Sequence, residues 1–306
     1  MKSNYFTIEN NYPVSNGGGI VKTIEDLKRI LPTSLGAIEI GSITMEPREG
    51  NTGNTFFKGN GFTLNSIGLK NPGAKYYEEN LPTMIRMIED AGKVAIVNVA
   101  GFNRDEYVQL TGLAFSAGSD FVVLNYGCPN VGGKEILSYN NSSIRDTTIN
   151  VIRRNNSPAS EGRLGIKLSP IFKRSDMEEI ASFLNMLYNS SGQSGGYIGF
   201  ITTTNTIPNG YDIYGDGQSV ITPNAGMGGM AGPAVLPIAL GQVRQWRSML
   251  ESEIKIVGVG GVSSGNDVLK MFKSDADLVQ IVSAYYATED PGIFQHIIGE
   301  YLQLIK

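Results

Sequence analysis

Short apolar runs rich in β-branched residues recur along the chain, separated by stretches whose apolar positions return at helical spacing. The runs fall at 36–42, 94–101, 121–126, 164–168, 197–203, 255–259 and 278–283, with a weaker one at 12–15, and read as strands. The helical stretches are 23–31, 76–91, 104–117, 140–154, 176–189, 233–250, 265–272 and 291–305. Ser175-Asp176 and Asp290-Pro291 supply helix-start chemistry. Eight strands alternating with eight helices in 306 residues predict a (β/α)8 TIM barrel. An open doubly wound sheet is the other arrangement of the same pattern. No repeat, low-complexity tract or linker divides the chain, so residues 1–306 are expected to form one domain.

Three connections are longer than a barrel needs: 46–76, 128–140 and 204–232. Each follows a strand. Barrel active sites are built from the loops at the C-terminal ends of the strands, so all three should crowd one mouth.

Composition narrows the function classes. The net charge of -4 gives no electrostatic case for nucleic acid or an anionic membrane surface. One cysteine and one histidine leave no disulfide framework and no Cys/His zinc site within the chain. No apolar run is long enough to span a bilayer, and the N-terminal residues lack a signal-like apolar region. A cytoplasmic protein without membrane or metal is the expectation.

The candidate chemistry sits at strand ends. Cys128 follows the run Phe121-Val122-Val123-Leu124 in Asn125-Tyr126-Gly127-Cys128-Pro129-Asn130. A thiol there is a candidate base or nucleophile flanked by two amides; a lone cysteine is also commonly a small buried apolar residue. Lys167 is a charge inside the apolar strand Gly165-Ile166-Lys167-Leu168, costly to bury without a partner. It reads as a contact to an electron-rich ring or anion, or as a solvated strand end. Asn98, Asn125 and Asn205 end apolar runs in equivalent places, a set suited to an uncharged ring with donors and acceptors. Val259-Gly260-Gly261-Val262 and Ile281-Val282-Ser283-Ala284 follow the last two strands, where barrels commonly hold a phosphate on backbone N–H groups. The Gly258–Gly261 stretch does not match a dinucleotide fingerprint. His296 and Trp246 lie in helices and read as structural.

These motifs, in this order, resemble those of the dihydroorotate dehydrogenase family, most closely the soluble class with a cysteine base (the class 1A type). The resemblance runs over residues 12–301. It is carried by Glu46-Pro47-Arg48-Glu49-Gly50-Asn51, Leu64-Asn65-Ser66-Ile67-Gly68-Leu69, Asn125-Tyr126-Gly127-Cys128-Pro129-Asn130-Val131, Gly165-Ile166-Lys167-Leu168, Asn205-Thr206, Gly226-Met227-Gly228-Gly229 and Val259-Gly260-Gly261-Val262. The resemblance implies FMN-dependent oxidation of dihydroorotate to orotate, a step of pyrimidine biosynthesis. Cys128 would remove the C5 proton while the C6 hydride passes to flavin N5, and a soluble acceptor such as fumarate would follow. It implies substrate contacts from Asn65, Gly68, Leu69, Asn125, Asn130, Asn205 and Thr206. It implies flavin contacts from Gly17, Gly18, Ser42, Asn98, Asn125, Lys167, Gly228, Gly229, Gly260, Gly261, Ser283 and Ala284. A homodimer is implied; an iron–sulfur partner subunit is not favoured.

The chain departs from the pattern in three places. The soluble class has a lysine where this chain has Gly41. The position that corresponds to the membrane class's lysine is Glu46. A serine expected beside the cysteine is Gly127. These departures leave open another small cyclic substrate, or a flavin-binding scaffold without dihydroorotate turnover.

Overall fold

The computed structural model describes residues 12–127, 136–155, 162–190 and 196–306. Its centre is a closed parallel barrel formed by β1 (Tyr12–Asn16), β2 (Leu35–Ile43), β5 (Val94–Val99), β6 (Phe121–Asn125), β7 (Leu164–Leu168), β8 (Phe200–Thr203), β11 (Lys255–Val259) and β12 (Leu278–Ile281). Chain order is barrel order, and β1 closes the ring by pairing with both β2 and β12. The remaining strands are short: β3 (Phe56–Lys58), β4 (Thr63–Asn65), β9 (Ile207–Gly210) and β10 (Gly228–Ala231). They form an antiparallel sheet in the order β3-β4-β10-β9, built from two of the long loops.

The helices are α1 (Ile24–Ile30), α2 (Ala74–Asp90), α3 (Arg104–Ser116), α4 (Asn141–Asn155), α5 (Arg174–Asn189), α6 (Leu236–Met249), α7 (Gly265–Lys273), α8 (Ser283–Thr288) and α9 (Gly292–Leu304). Their starts follow capping chemistry. Thr23 Oγ1 accepts from Asp26 N and the Asp26 carboxylate accepts from Thr23 N, closing a capping box on α1. Asn103 and Ser264 cap α3 and α7 in the same sense.

Side chains alternate along each barrel strand, so one parity packs outward on the helices and the other fills the barrel. Ile38, Ile40, Val97, Val122, Leu124, Ile166, Ile201, Ile256 and Val279 belong to the large cluster shared with the helices, where Trp246 is also fully buried. The other parity begins with a separate apolar cluster of Ala37, Ile96, Phe121, Val123, Phe200, Val257 and Leu278. Phe121 and Phe200 meet edge to face at 5.8 Å. The space for the Phe200 ring exists because position 165 is glycine: a Cβ there would lie 2.4 Å from it.

Two residues further along, the same inward parity turns polar. Glu39, Asn98, Asn125, Lys167, Thr202 and Gln280 are all buried. The barrel is therefore plugged by an apolar layer below and floored by a polar layer above it, nearer the strands' C-terminal ends. Among the described residues no helix is long and apolar enough to cross a membrane.

Candidate active site

A cleft enclosing about 1140 Å³, including space open to solvent at its mouth, lies over the polar layer. Residues at or just past the C-terminal ends of β2, β6, β7, β8, β11 and β12 line it: Ser42, Asn125, Lys167, Thr204, Gly260 and Val282. One wall is a chain of amides. Asn125 Nδ2 donates to Ser42 Oγ at 2.9 Å, and Asn205 Nδ2 donates to Asn125 Oδ1 at 3.3 Å. Asn205 Oδ1 in turn accepts from Thr206 N at 2.8 Å. Asn65, at the end of β4, donates from Nδ2 to Gly229 O at 3.1 Å and lines the same cleft. Gly68 and Leu69 continue that side. Arg48 fixes them: its Nε donates to Gly68 O at 2.9 Å while its guanidinium covers the Phe102 ring at 4.9 Å.

Of the residues singled out from the sequence, the cleft gathers Gly18, Ser42, Asn65, Gly68, Leu69, Asn125, Lys167, Asn205, Thr206, Gly260, Gly261 and Ser283. Others stand behind it. Asn98 is fully buried in the floor, where its amide donates to Glu39, so the three strand-end amides do not form one ring around the mouth. Gly17 packs on Val282 and Gln280, and a Cβ at Gly229 would lie 2.1 Å from Thr206 Oγ1. Gly228 pairs across β9 and β10, and Ala284 follows Ser283 in α8 without lining the cleft. Cys128 and Asn130 lie outside the described residues. His296 pairs with Glu300 on α9, away from the cleft.

The departures acquire physical reasons. Gly41 has φ +117°, and a Cβ there would lie 2.3 Å from the backbone oxygen of Asn98. No side chain of any kind is accommodated at that position. Glu46 is exposed. A Cβ at Gly127 would lie 2.8 Å from Ser169 N and 3.0 Å from Asn205, so a serine there has no room.

The cleft nonetheless has a second cation that sequence reasoning missed. Lys22, in the loop between β1 and α1, lines it together with Lys167 and the exposed Lys70. The signal was available: Lys22 follows the Gly17-Gly18-Gly19 loop and immediately precedes the Thr23 cap, a βα-loop position at the barrel mouth. Its backbone is held by Lys22 N donating to Asp26 Oδ2 and Tyr77 hydroxyl donating to Lys22 O. Burial holds the Lys22 ammonium below its ordinary pKa; Asp26 opposes that shift and Lys70 adds to it.

Helix α7 offers no open N-terminus. Ser264 and Asp267 cap it, and Gly265 N donates to Glu300. The backbone N–H groups of Gly261 and Ser283 have no protein partner among the described residues. Among the described residues the backbone donors left for an anion here are therefore those of Gly261 and Ser283 rather than those at the start of α7.

A barrel whose mouth combines side-chain-free backbone, a wall of amides, a buried lysine and unspent backbone donors defines a cofactor-binding class that takes a flat polar ring with a phosphate tail. Comparison with known proteins is specific. Residues 1–305 match the family model described as dihydroorotate dehydrogenase. The chain is 31% identical over 305 residues to dihydroorotate dehydrogenase A (fumarate) of Lactococcus lactis subsp. lactis (strain IL1403), covering 98% of this chain and 92% of that protein. It is 31% identical over 304 residues to dihydroorotate dehydrogenase (fumarate) of Saccharomyces bayanus, with the same coverage of each. The crystal structure of DHODH in complex with ferulenol from Eimeria tenella superposes with a TM-score of 0.75 at 19% identity, covering 96% of this chain and 81% of that one; it supports the fold. The chain belongs to the dihydroorotate dehydrogenase family, of the class 1A type, and is a flavin-dependent oxidoreductase.

The family is FMN-dependent, and the residues here fit that group. A Cβ at Gly18 would lie 2.8 Å from Glu39 Oε1 and one at Gly261 2.6 Å from Leu236 N, so both cradles need bare backbone. Gln280, which lines the cleft, carries a buried Oε1 with no hydrogen-bond partner among the described residues. Lys167 adds a cation to suit an electron-rich ring edge.

Proposed function

We propose that this chain oxidises dihydroorotate to orotate with FMN, passing the electrons to fumarate. The observation that supports this reading is that one cleft is lined by Asn65, Asn125, Asn205 and Thr206 together with three lysines, Lys22, Lys70 and Lys167. Amides of both polarities suit the uncharged pyrimidine ring, and Lys22 suits its carboxylate. Gly68 and Leu69 shape the same side, and Asn130 is the remaining amide proposed for the substrate. Gly18, Ser42, Asn125, Lys167, Gly260, Gly261 and Ser283 are proposed to hold the flavin, with Gly17, Asn98, Gly228, Gly229 and Ala284 shaping its surroundings.

When bound, FMN supplies the hydride acceptor. The protein's own part is to hold the ring by its amides and to take the C5 proton on Cys128 as the C6 hydride leaves. A free cysteine near pKa 8.5 is only a few per cent thiolate at pH 7. The rate of flavin reduction should therefore climb with pH until the thiol is ionised. The chain is proposed to act as one domain and as a homodimer.

Anaerobic dihydroorotate should bleach the flavin band of the purified protein, and fumarate should restore it. Cys128→Ser should slow bleaching by orders of magnitude with the flavin retained; an unchanged rate sinks the base role. A second reading rests on Gly41. If the carboxylate partner had been lost with that lysine, a cyclic substrate without a carboxylate would bleach the flavin where dihydroorotate does not.

A further inference from the structure

In the floor of the cleft Lys167 is paired with a buried carboxylate, Glu39, to which flavin and substrate binding assign no role. Glu39 is fully buried in β2. Its Oε1 accepts from Asn98 Nδ2 at 2.7 Å, and its Oε2 accepts from Gln280 Nε2 at 2.5 Å. Its backbone is clamped by Asn16, which accepts from Glu39 N at 3.0 Å and donates to Glu39 O at 2.7 Å. Lys167 Nζ stands 3.9 Å from Oε1. Gly18 lines the cleft directly above, since a Cβ on it would lie 2.8 Å from the carboxylate oxygen.

A carboxylate inside a barrel is costly unless donors and a counter-charge surround it. Glu39 has two amide donors and an ammonium, the surroundings of an anion. The ammonium is close enough for charge pairing and too far for a hydrogen bond. Among the described residues Lys167 Nζ makes no hydrogen bond, so its protons remain for an occupant of the cleft that it lines. Lys167 is thus shared between a negative charge below and whatever binds above. The amides are committed as well. Asn98 and Gln280 spend their N–H groups on Glu39, which leaves Asn98 Oδ1 and Gln280 Oε1 as buried acceptors without partners.

We propose that Glu39 is a positioning residue that sets how strongly Lys167 acts on the flavin. The inference rests on flavin occupying this cleft. Two-electron reduction with uptake of one proton adds one negative charge to the flavin ring. A bare ammonium at the ring edge would favour that charge and raise the midpoint potential. Glu39, one layer below, offsets part of the ammonium's field and holds the potential lower. By fixing the amide orientation of Asn98 and Gln280, it also turns their oxygens, rather than their N–H groups, away from itself.

The test is the midpoint potential of the FMN-loaded protein, measured by dye-equilibrated anaerobic titration without any dihydropyrimidine. Glu39→Gln should raise it by at least about tenfold in the reduced-to-oxidised ratio, roughly 30 mV for a two-electron couple. Glu39→Asp, which keeps the charge, should return most of the way to wild type. Lys167→Met should lower the potential, and adding Glu39→Gln to Lys167→Met should raise it again. That second pair keeps the test decisive should Glu39→Gln alone fail to fold. Equal potentials in wild type and Glu39→Gln, or a lower one in the variant, overturn the proposal while leaving the substrate assignment intact. A purified protein that takes up no FMN overturns the cofactor reading together with it. A protein that shows the shift but is not reduced by dihydroorotate upholds the role of Glu39 and removes the substrate.

Discussion

The two layers inside the barrel are made by the same strands at the same period, yet they are opposites. The lower layer is Ala37, Ile96, Val123, Phe200, Val257 and Leu278, fully apolar and closed over by an aromatic pair. The upper layer, two residues along on β2, β5, β6, β7, β8 and β12, holds Glu39, Asn98, Asn125, Lys167, Thr202 and Gln280. Burying apolar surface stabilises the first. The second carries an ion pair and two amide oxygens with no partner among the described residues, an arrangement that stability alone does not favour. One layer makes the barrel; the other makes the barrel receptive.

Breaking the lower layer should have the largest effect on stability. Phe200→Ala removes a ring packed against Phe121 and filling the space beside Gly165, so about 3–5 kcal/mol should be lost in urea unfolding. Protein that remains folded should still bind flavin. The upper layer should respond the other way. Replacing Glu39 and Asn98 by Leu and Lys167 and Gln280 by Met removes the ion pair together with the two amides that donate to it, so no donor is left stranded in the floor. Exchanging a buried ion pair for packed apolar groups is often neutral or stabilising by about 1–4 kcal/mol. The quadruple variant should therefore unfold no earlier than wild type while losing flavin affinity. Early unfolding would mean that the polar layer supports the fold as well as the site.

The lower layer and its strands were legible because they are continuous apolar runs with β-branched residues. The expected strands at 164–168 and 255–259 coincide with β7 and β11. The small sheet was not legible. Strands β3, β4, β9 and β10 have three or four residues each, two of them contain glycine, and none has room to show a period. The apolar stretch at 278–283 reads as one strand, but β12 ends at Ile281 and α8 starts at Ser283. Polar residues inside apolar runs, Lys167 and Asn125 above all, gave away the upper layer. Glu39 passed unnoticed in its own run because no charge beside it in sequence marks its partner; Lys167 reaches it only across the barrel. Lys22 was missed because the cation was sought on β2, where the Asn98 carbonyl leaves Gly41 no space for a side chain.

The smallest of these effects concerns the cation at the rim rather than the one in the floor. Losing a charge-assisted hydrogen bond costs about 1.5–3 kcal/mol, so Lys22→Gln should weaken orotate binding by roughly 10–150-fold with flavin still bound. Its pH dependence separates this role from packing. Burial, reinforced by Lys70 and opposed by Asp26, holds Lys22 below the usual 10.5. As pH rises through that lowered value, the ammonium is lost and wild-type affinity for orotate should fall, while Lys22→Gln stays flat across the same window. Stability of the ligand-free protein should move in the opposite direction. Between the lowered value and 10.5 the unfolded chain binds more protons at this residue than the folded one, so wild type gains stability with rising pH relative to Lys22→Gln. A wild-type affinity that does not change through this window, measured by anaerobic titration with orotate, would take the carboxylate away from Lys22 and return it to the unfilled question at Gly41.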